Sequence, residues 1–215
     1  MTTLLVPAMR IARWVENFEA RHDGCDLAVS GGALTGLGGD GSTFEALPPF
    51  GRAYDDRADP SDFLDACSPP AQWGVLLVRK GGFAIARLEG DAVVESKVGQ
   101  RHVQGRTKAG GQSQQRFARR RDNQARQAYE AAAGHAVRIL GPFEERLRSA
   151  AGDPDVVLVT GGDHEAVEAV LVDQRLRMLA TRVVEPFLAV PDPRRSVLEA
   201  AIADAGSVRM TVVNT

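Results

Sequence analysis

The most regular alternation of apolar and polar residues lies between Trp73 and Gly99. Three runs rich in apolar and β-branched residues cover 75–79, 83–88 and 92–98, and short turns that contain glycine separate them. Runs of this length joined by glycine turns predict a three-stranded β-meander. The last of these strands leads directly into a segment rich in arginine.

A stripe of apolar residues at three- and four-residue spacing follows this segment and predicts a long helix. Its members are Ala118, Ala125, Tyr129, Ala132, Ala136, Leu140, Phe143 and Leu147. Gly141-Pro142 is predicted to kink or divide the helix, because proline lacks an amide donor and its ring crowds the preceding turn. Residues 116–126 then occupy the first turns of the helix, and a loop at about 105–116 projects before it.

The last third of the chain alternates between strand and helix patterns. Helices are predicted after Asp163 and Asp192, whose side chains can cap them, and the second helix is predicted to begin at Pro193. The strands are predicted at 156–159, 183–190 and 208–213. Strands that alternate with helices predict an α/β fold, with a mixed β-sheet and helices packed on it.

The turn Thr160-Gly161-Gly162-Asp163-His164 lies where a strand passes into a helix, a place where anions can bind. An aspartate at the cap repels an anion. We therefore interpret this sequence as a turn and a helix cap.

The first 70 residues predict a small N-terminal α+β lobe. Apolar residues at near-helical spacing predict a helix over 7–23, and the glycine-rich residues 25–50 predict the strands and turns of a small sheet. The glycines do not form a phosphate loop, because no Gly-Lys-Ser/Thr ending or helix follows them. Residues 51–72 are acidic and punctuated by proline. We place the boundary there, with a lobe at 1–70 and a catalytic domain at 71–215.

Composition is that of a folded protein, with 44% hydrophobic and 25% charged residues in 215. No apolar run approaches the roughly 18 residues of a membrane span, and the N-terminus lacks the apolar stretch of a secretory signal. We expect a cytoplasmic monomer without membrane contact. Cys25 and Cys67 lack metal-ligand spacing, so we expect free thiols and neither a metal nor a cofactor.

Charge is strongly segregated. The basic segment, residues 97–126, holds nine Lys/Arg and one acid, Asp122, whereas the rest of the chain carries 17 bases and 27 acids. A basic patch in an otherwise acidic chain indicates a polyanionic partner, and nucleic acid is the first candidate. The predicted RNA contacts are Lys97, Arg101, His102, Arg106, Lys108, Arg116, Arg119, Arg120, Arg121 and Arg126.

The candidate chemistry lies inside the basic segment, at Gly110, Gly111, Gln112, Ser113 and Gln114. The chain has no zinc-protease motif, nucleophile elbow or Cys/His pair. Backbone N–H groups freed by glycine, together with a neutral amide, can stabilise an oxyanion and orient water without accepting a proton. We interpret His102 as an RNA contact and not as a general base.

At these residues the chain resembles the catalytic middle domain of archaeal and eukaryotic class I release factors, in which a Gly-Gly-Gln loop precedes a long arginine-rich helix. It is more similar to the actinobacterial branch of release-factor-like peptidyl-tRNA hydrolases, whose eukaryotic relatives free nascent chains from stalled ribosomes in quality control. The resemblance covers about residues 73–213. It implies hydrolysis of the peptidyl-tRNA ester in the peptidyl transferase centre of the large subunit, with an essential loop glutamine and a basic helix along rRNA.

Two glutamines can fill the essential position. The Gly-Gly-Gln pattern of release factors selects Gln112, whereas the quality-control relatives place glutamine after serine, which selects Gln114. We favour Gln114, because Ser-Gln-Gln-Arg is the context of the closer relatives. The chain also has no room for a codon-reading domain, so we do not expect it to recognise stop codons.

The alternative from another class is a non-catalytic module that binds rRNA or tRNA on the ribosome. The basic segment would then serve only as a clamp, and the glutamines would be a polar loop. Release of peptide from peptidyl-tRNA on ribosomes separates the two hypotheses.

Overall fold

The computed structural model describes residues 1–100, 113–149 and 156–215, and for residues 113–125 it describes only the helical backbone. The chain forms two compact units. The first unit comprises Met1–Pro69 and Ile202–Thr215, and the second unit comprises Pro70–Ala201. Within the described ranges, no helix is both long and apolar enough to cross a membrane.

The first unit is built on an antiparallel five-stranded sheet in the order β1-β10-β4-β3-β2. Its strands are β1 (Thr2–Pro7), β2 (Cys25–Ser30), β3 (Ala33–Gly38), β4 (Thr43–Leu47) and β10 (Ser207–Val213), and its helices are α1 (Ile11–Arg21) and α2 (Pro60–Ala66). Ile11 and Phe18 of α1 share one apolar cluster with Phe44 and Met210 of the sheet. Burying this face of α1 supplies much of the unit's stability, since each large apolar side chain contributes about 1.5–3 kcal/mol.

The predicted boundary separated a lobe at 1–70 from a domain at 71–215, but the final strand, β10, belongs to the first unit. It pairs with β1 from Thr2↔Val212 to Pro7↔Ser207 and with β4 on its other side. The first unit is therefore closed by residues from both ends of the sequence. β1 and α2 were not predicted. The α2 helix begins after Asp59, whose carboxylate accepts hydrogen bonds from the amides of Ser61 and Asp62.

The second unit is built on a mixed five-stranded sheet in the order β7-β6-β5-β8-β9, which confirms the predicted α/β class. Strand β5 is antiparallel to β6 and parallel to β8. Its strands are β5 (Gln72–Arg79), β6 (Gly82–Glu89), β7 (Ala92–Gln100), β8 (Val156–Gly162) and β9 (Val183–Leu188). Its helices are α3 (Ser113–Ser149), α4 (His164–Leu171) and α5 (Arg177–Ala180), and α6 (Arg195–Ala205) begins in it. The predicted meander corresponds to β5, β6 and β7.

A kink or a division was predicted at Gly141-Pro142, and the division does not occur, because the long helix α3 is continuous across Pro142. Pro142 is exposed, whereas Ile139, Leu140 and Phe143 are buried in the core of the second unit. This packing offsets the roughly 3 kcal/mol that a proline costs inside a helix. The helix predicted from Pro193 begins at Arg195 instead.

We expect Gly134→Ala to stabilise the protein. Gly134 lies inside α3, and a Cβ added there would meet no heavy atom within 4 Å. Alanine is about 0.8–1 kcal/mol more favourable than glycine inside a helix, because glycine loses more backbone freedom on folding. Urea unfolding measures this difference.

Gly74→Ala is the matched control for this prediction. Its Cβ would lie 2.9 Å from Cδ2 of Leu140, in the closely packed contact between β5 and α3, so this substitution should lower the free energy of unfolding. A loss of stability for Gly134→Ala would contradict the packing described for α3.

Candidate functional site

The basic segment spans the end of β7, the residues after it and the first turns of α3. Its described parts are residues 97–100 of β7, the helical backbone from Ser113, and Arg126 with its side chain on α3. Lys97 and Arg126 are both exposed. The predicted site residues Arg101, His102, Arg106, Lys108, Gly110, Gly111 and Gln112 lie outside the described residues, so their roles stay predictions.

The helical backbone reaches further toward the glycines than predicted. The loop was expected at about 105–116, but α3 begins at Ser113, so Ser113, Gln114 and Arg116 belong to its first turn. The first four N–H groups of a helix have no partner within the helix, and its N-terminus carries a partial positive charge. The candidate glutamines therefore flank or occupy a helix end that favours negative charge. Arg119, Arg120 and Arg121 follow on the helical backbone.

The second half of α3 anchors the helix to the sheet. Ala132, Ala136, Ile139, Leu140, Phe143 and Leu147 are all buried in the apolar core of the second unit. Ser113 precedes Ala132 by 19 residues, which corresponds to about 28 Å of helix at 1.5 Å per residue. Along the helix, Ala132 is thus far from the end that carries Gln114.

A buried carboxylate adds a polar anchor that the sequence did not reveal. The side chain of Glu144 on α3 is 4% exposed, and it accepts hydrogen bonds from the amides of Met178 at 3.1 Å and Leu179 at 2.9 Å. Those amides belong to the first turn of α5, where backbone donors lack helical partners. Glu144 therefore joins the second half of α3 to α5 by charge-assisted hydrogen bonds.

Contacts between side chains also hold β7 against α3. Glu95 on β7 forms an ion pair with Arg138 on α3. The Phe83 ring stacks on His135 with a centroid distance of 5.2 Å, and a Cβ at Gly99 would fall 2.4 Å from the same ring. The strand that leads into residues 101–112 is thus fixed relative to the helix that follows them.

A small apolar cleft lies between the end of β7 and α3. Its volume is about 130 Å³, and its lining includes Gly82, Phe83, Gly99, Gln100, Ala128 and Tyr129. Burial raises the pKa of Tyr129, and the negative charges of Asp163 and Glu165 raise it further. Tyr129 therefore stays a neutral phenol at neutral pH. Gln100, the last described residue before 101–112, and Ala128 of α3 line the same cleft.

Residues 160–162 are the end of β8, and Asp163 lies at the predicted cap position of α4, but the predicted capping by its side chain does not occur. Gly162 has a φ of +104°, and the amide of Asp163 donates a hydrogen bond to the carbonyl of Val78 at 2.9 Å. Asp163 occupies the N-cap position of α4 without a side-chain cap hydrogen bond. Its carboxylate instead lies 3.5 Å from Nε of Arg79.

Neither cysteine lies in the basic segment. Both cysteines are free thiols, and burial raises the pKa of Cys67 to about 12. A thiol of that pKa is not a nucleophile at neutral pH. Within residues 1–100, 113–149 and 156–215, no group of three or more His, Cys, Asp or Glu side chains is arranged to hold a metal ion.

Comparison with known proteins shows the family to which residues 71–211 belong. The family model of the actinobacteria/chloroflexi VLRF1 release factor matches residues 71–211. Among solved structures, an archaeal translation termination factor, aRF1, is similar at 15% sequence identity and a TM-score of 0.44, over 94% of this chain and 63% of that chain. No curated protein matches by sequence. The matched region covers the meander, the basic segment and α3, and the chain belongs to the actinobacteria/chloroflexi VLRF1 release factor family.

Proposed function

We propose that the protein is a peptidyl-tRNA hydrolase that releases nascent chains from stalled ribosomes or large subunits. The observation that carries this proposal is the family match over residues 71–211, which makes the chain release-factor-like and contains every candidate site residue. The partners are the large subunit with its peptidyl transferase centre, the rRNA and the peptidyl-tRNA. Residues 71–211 would supply the catalytic part.

The placement of the candidate glutamines supports this function. The peptidyl ester lies deep in a large RNA assembly, so the reacting group must be carried well beyond a folded body. Helix α3 would provide such a carrier, because its 37 residues correspond to about 55 Å and the core residues between Ala132 and Leu147 anchor its second half. The arginines at 116, 119, 120, 121 and 126 belong to the part that would follow the glutamines along the RNA.

The proposed reaction needs no acid or base from the protein. A water oxygen attacks the carbonyl carbon of the peptidyl ester, the bond from that carbon to the tRNA oxygen breaks, and a proton that the water loses passes to the leaving oxygen. The protein would orient the water and donate hydrogen bonds to the developing negative charge. A glutamine amide and the free N–H groups at the start of α3 are suited to this role.

Gln114 is our preferred catalytic residue, with Gln112 as the alternative. Gly110 and Gly111 would allow the backbone to approach the ester closely, because glycine lacks the Cβ that would keep it away. Ser113 lies between the two candidate glutamines. Gln114 belongs to the first helical turn, whereas Gln112 directly precedes the helix. Substitution of each glutamine decides between them.

We expect hydrolysis to depend on the peptidyl transferase centre. The protein should release peptide from peptidyl-tRNA bound to ribosomes or large subunits and leave free peptidyl-tRNA intact, because a loop without a general base acts only on an oriented ester. Single-turnover release of labelled peptide measures this. Equal rates on free and bound peptidyl-tRNA would contradict the proposed dependence.

The same experiment tests the alternative of a non-catalytic binding module. The charge of the basic segment favours RNA binding under either hypothesis, so affinity alone does not separate them. Saturating binding to the ribosome without release of peptide would support the binding module and overturn the proposed hydrolysis.

A further inference from the structure

We propose that Arg79 is a positioning residue that holds the end of the sheet from which residues 101–112 leave. This inference rests on the proposed function, because it assigns Arg79 to the geometry of the same site. Arg79 is the last residue of β5, and it is not among the residues that the sequence marked as functional.

The first observation is that Arg79 joins three segments that are distant in sequence. Its Nη1 donates a hydrogen bond to the carbonyl of Val190 at 2.9 Å. Its Nε lies 3.5 Å from Oδ1 of Asp163 and 3.7 Å from Oδ1 of Asp192. One guanidinium therefore ties the end of β5 to the turn before α4 and to the chain before α6.

The second observation is that Arg79 lies in the same row of the sheet as the departure point of residues 101–112. Arg79 pairs with Gly82 on β6, and Gly82 pairs with Gln100, the last residue of β7. A Cβ at Gly82 would fall 2.4 Å from the carbonyl oxygen of Gly99, so these backbones are in close contact. A shift at the end of β5 is thus transmitted across two strands to Gln100.

The third observation concerns the cleft between β7 and α3. Arg79 lines it together with Gln100 and with Tyr129 of α3. Arg79 therefore adjoins the end of the strand before residues 101–112 and one flank of the helix after them.

The ion pairs of Arg79 are better suited to positioning these segments than to stabilising the whole fold. The side chains of Arg79, Asp163 and Asp192 are 36%, 34% and 68% exposed, and ion pairs at such exposure contribute little to folding. The contacts of Arg79 nevertheless fix the positions of these three segments relative to one another. A displacement of about 1 Å far from the reacting atoms can cost up to about 10²-fold in rate.

The test compares Arg79→Ala and Arg79→Lys with Arg175→Ala as the matched control. Arg175 also pairs with an aspartate in the second unit, but its partner, Asp173, lies two residues away in the same segment. We expect Arg79→Ala to slow single-turnover release about 10-fold or more while ribosome affinity stays within about twofold. Arg79→Lys should recover part of the rate, and Arg175→Ala should match the wild type.

Hydrogen exchange provides a readout that does not need activity. Backbone amides at 80–83 and 98–100 should exchange faster in Arg79→Ala than in the wild type, and those in the core of α3 should not change. If the wild type is active and Arg79→Ala releases peptide at the same rate, the role of Arg79 is overturned and the proposed function stands. Unchanged exchange at those amides would overturn the role of Arg79 as well. An inactive wild type would overturn the proposed function together with the assigned role of Arg79.

Discussion

Gln114→Ala is expected to slow the hydrolysis step about 10²-fold or more, which is the scale of losing one donor to a developing oxyanion. The amide would orient water and stabilise negative charge, and the backbone N–H groups at the start of α3 would supply only part of that stabilisation. RNA affinity should survive, because the arginines of the basic segment remain. Quenched single-turnover release on saturated ribosomes measures the rate, and the rate should show no protein-derived pKa near neutrality.

The neighbouring glutamines provide controls for this result. Gln115→Ala removes the same amide one residue further along α3 and should leave the rate near that of the wild type. Gln112→Ala should cost less than Gln114→Ala. If Gln112→Ala abolishes release while Gln114→Ala stays active, the essential glutamine is the one that directly follows Gly110-Gly111.

Replacing Arg119, Arg120 and Arg121 together by alanine should weaken ribosome binding and make it less sensitive to salt. Each phosphate contact releases counterions, and the logarithm of affinity falls with the logarithm of salt concentration by roughly 0.7–0.9 per contact. Loss of three contacts should reduce the magnitude of this slope by about 2 to 3. Affinity measured at four or more salt concentrations gives the slope.

The matched control removes the same charge elsewhere. Arg10, Arg13 and Arg21 are exposed residues of the first unit, and their replacement by alanine also lowers the net charge by three. This variant should keep the wild-type slope if the basic segment carries the contact. Equal slopes for all three proteins would remove this part of α3 from the RNA interface.

Elements with strong local patterns were predicted well from the sequence. The meander strands and the first turns of α3 follow from periodicity and glycine turns, because each is set by neighbours close in sequence. The partner of β10 could not be predicted in this way. Its pairing with β1 joins residues about 200 positions apart, and periodicity contains no information on strand order.

The features of the second unit that were not predicted from the sequence also depend on residues distant in the chain. The continuity of α3 through Pro142 depends on buried neighbours such as Leu140 and Phe143, which local proline rules do not include. Arg79 and Glu144 are ordinary charged residues in the sequence. Their importance arises only from partners 84 to 113 and 34 to 35 positions away. The glycines, glutamines and arginines of the basic segment, by contrast, lie next to one another in the chain, so the sequence alone was enough to indicate the family.

We propose that residues 110–114 carry out hydrolysis of peptidyl-tRNA on the ribosome. The most direct test is single-turnover peptide release by the wild type and by the double variant Gln112→Ala, Gln114→Ala, each bound at saturation to the same peptidyl-tRNA complexes. We predict that the wild type releases peptide and that the double variant binds equally but releases it at least about 10²-fold more slowly. Release by the double variant at the wild-type rate would contradict the claim.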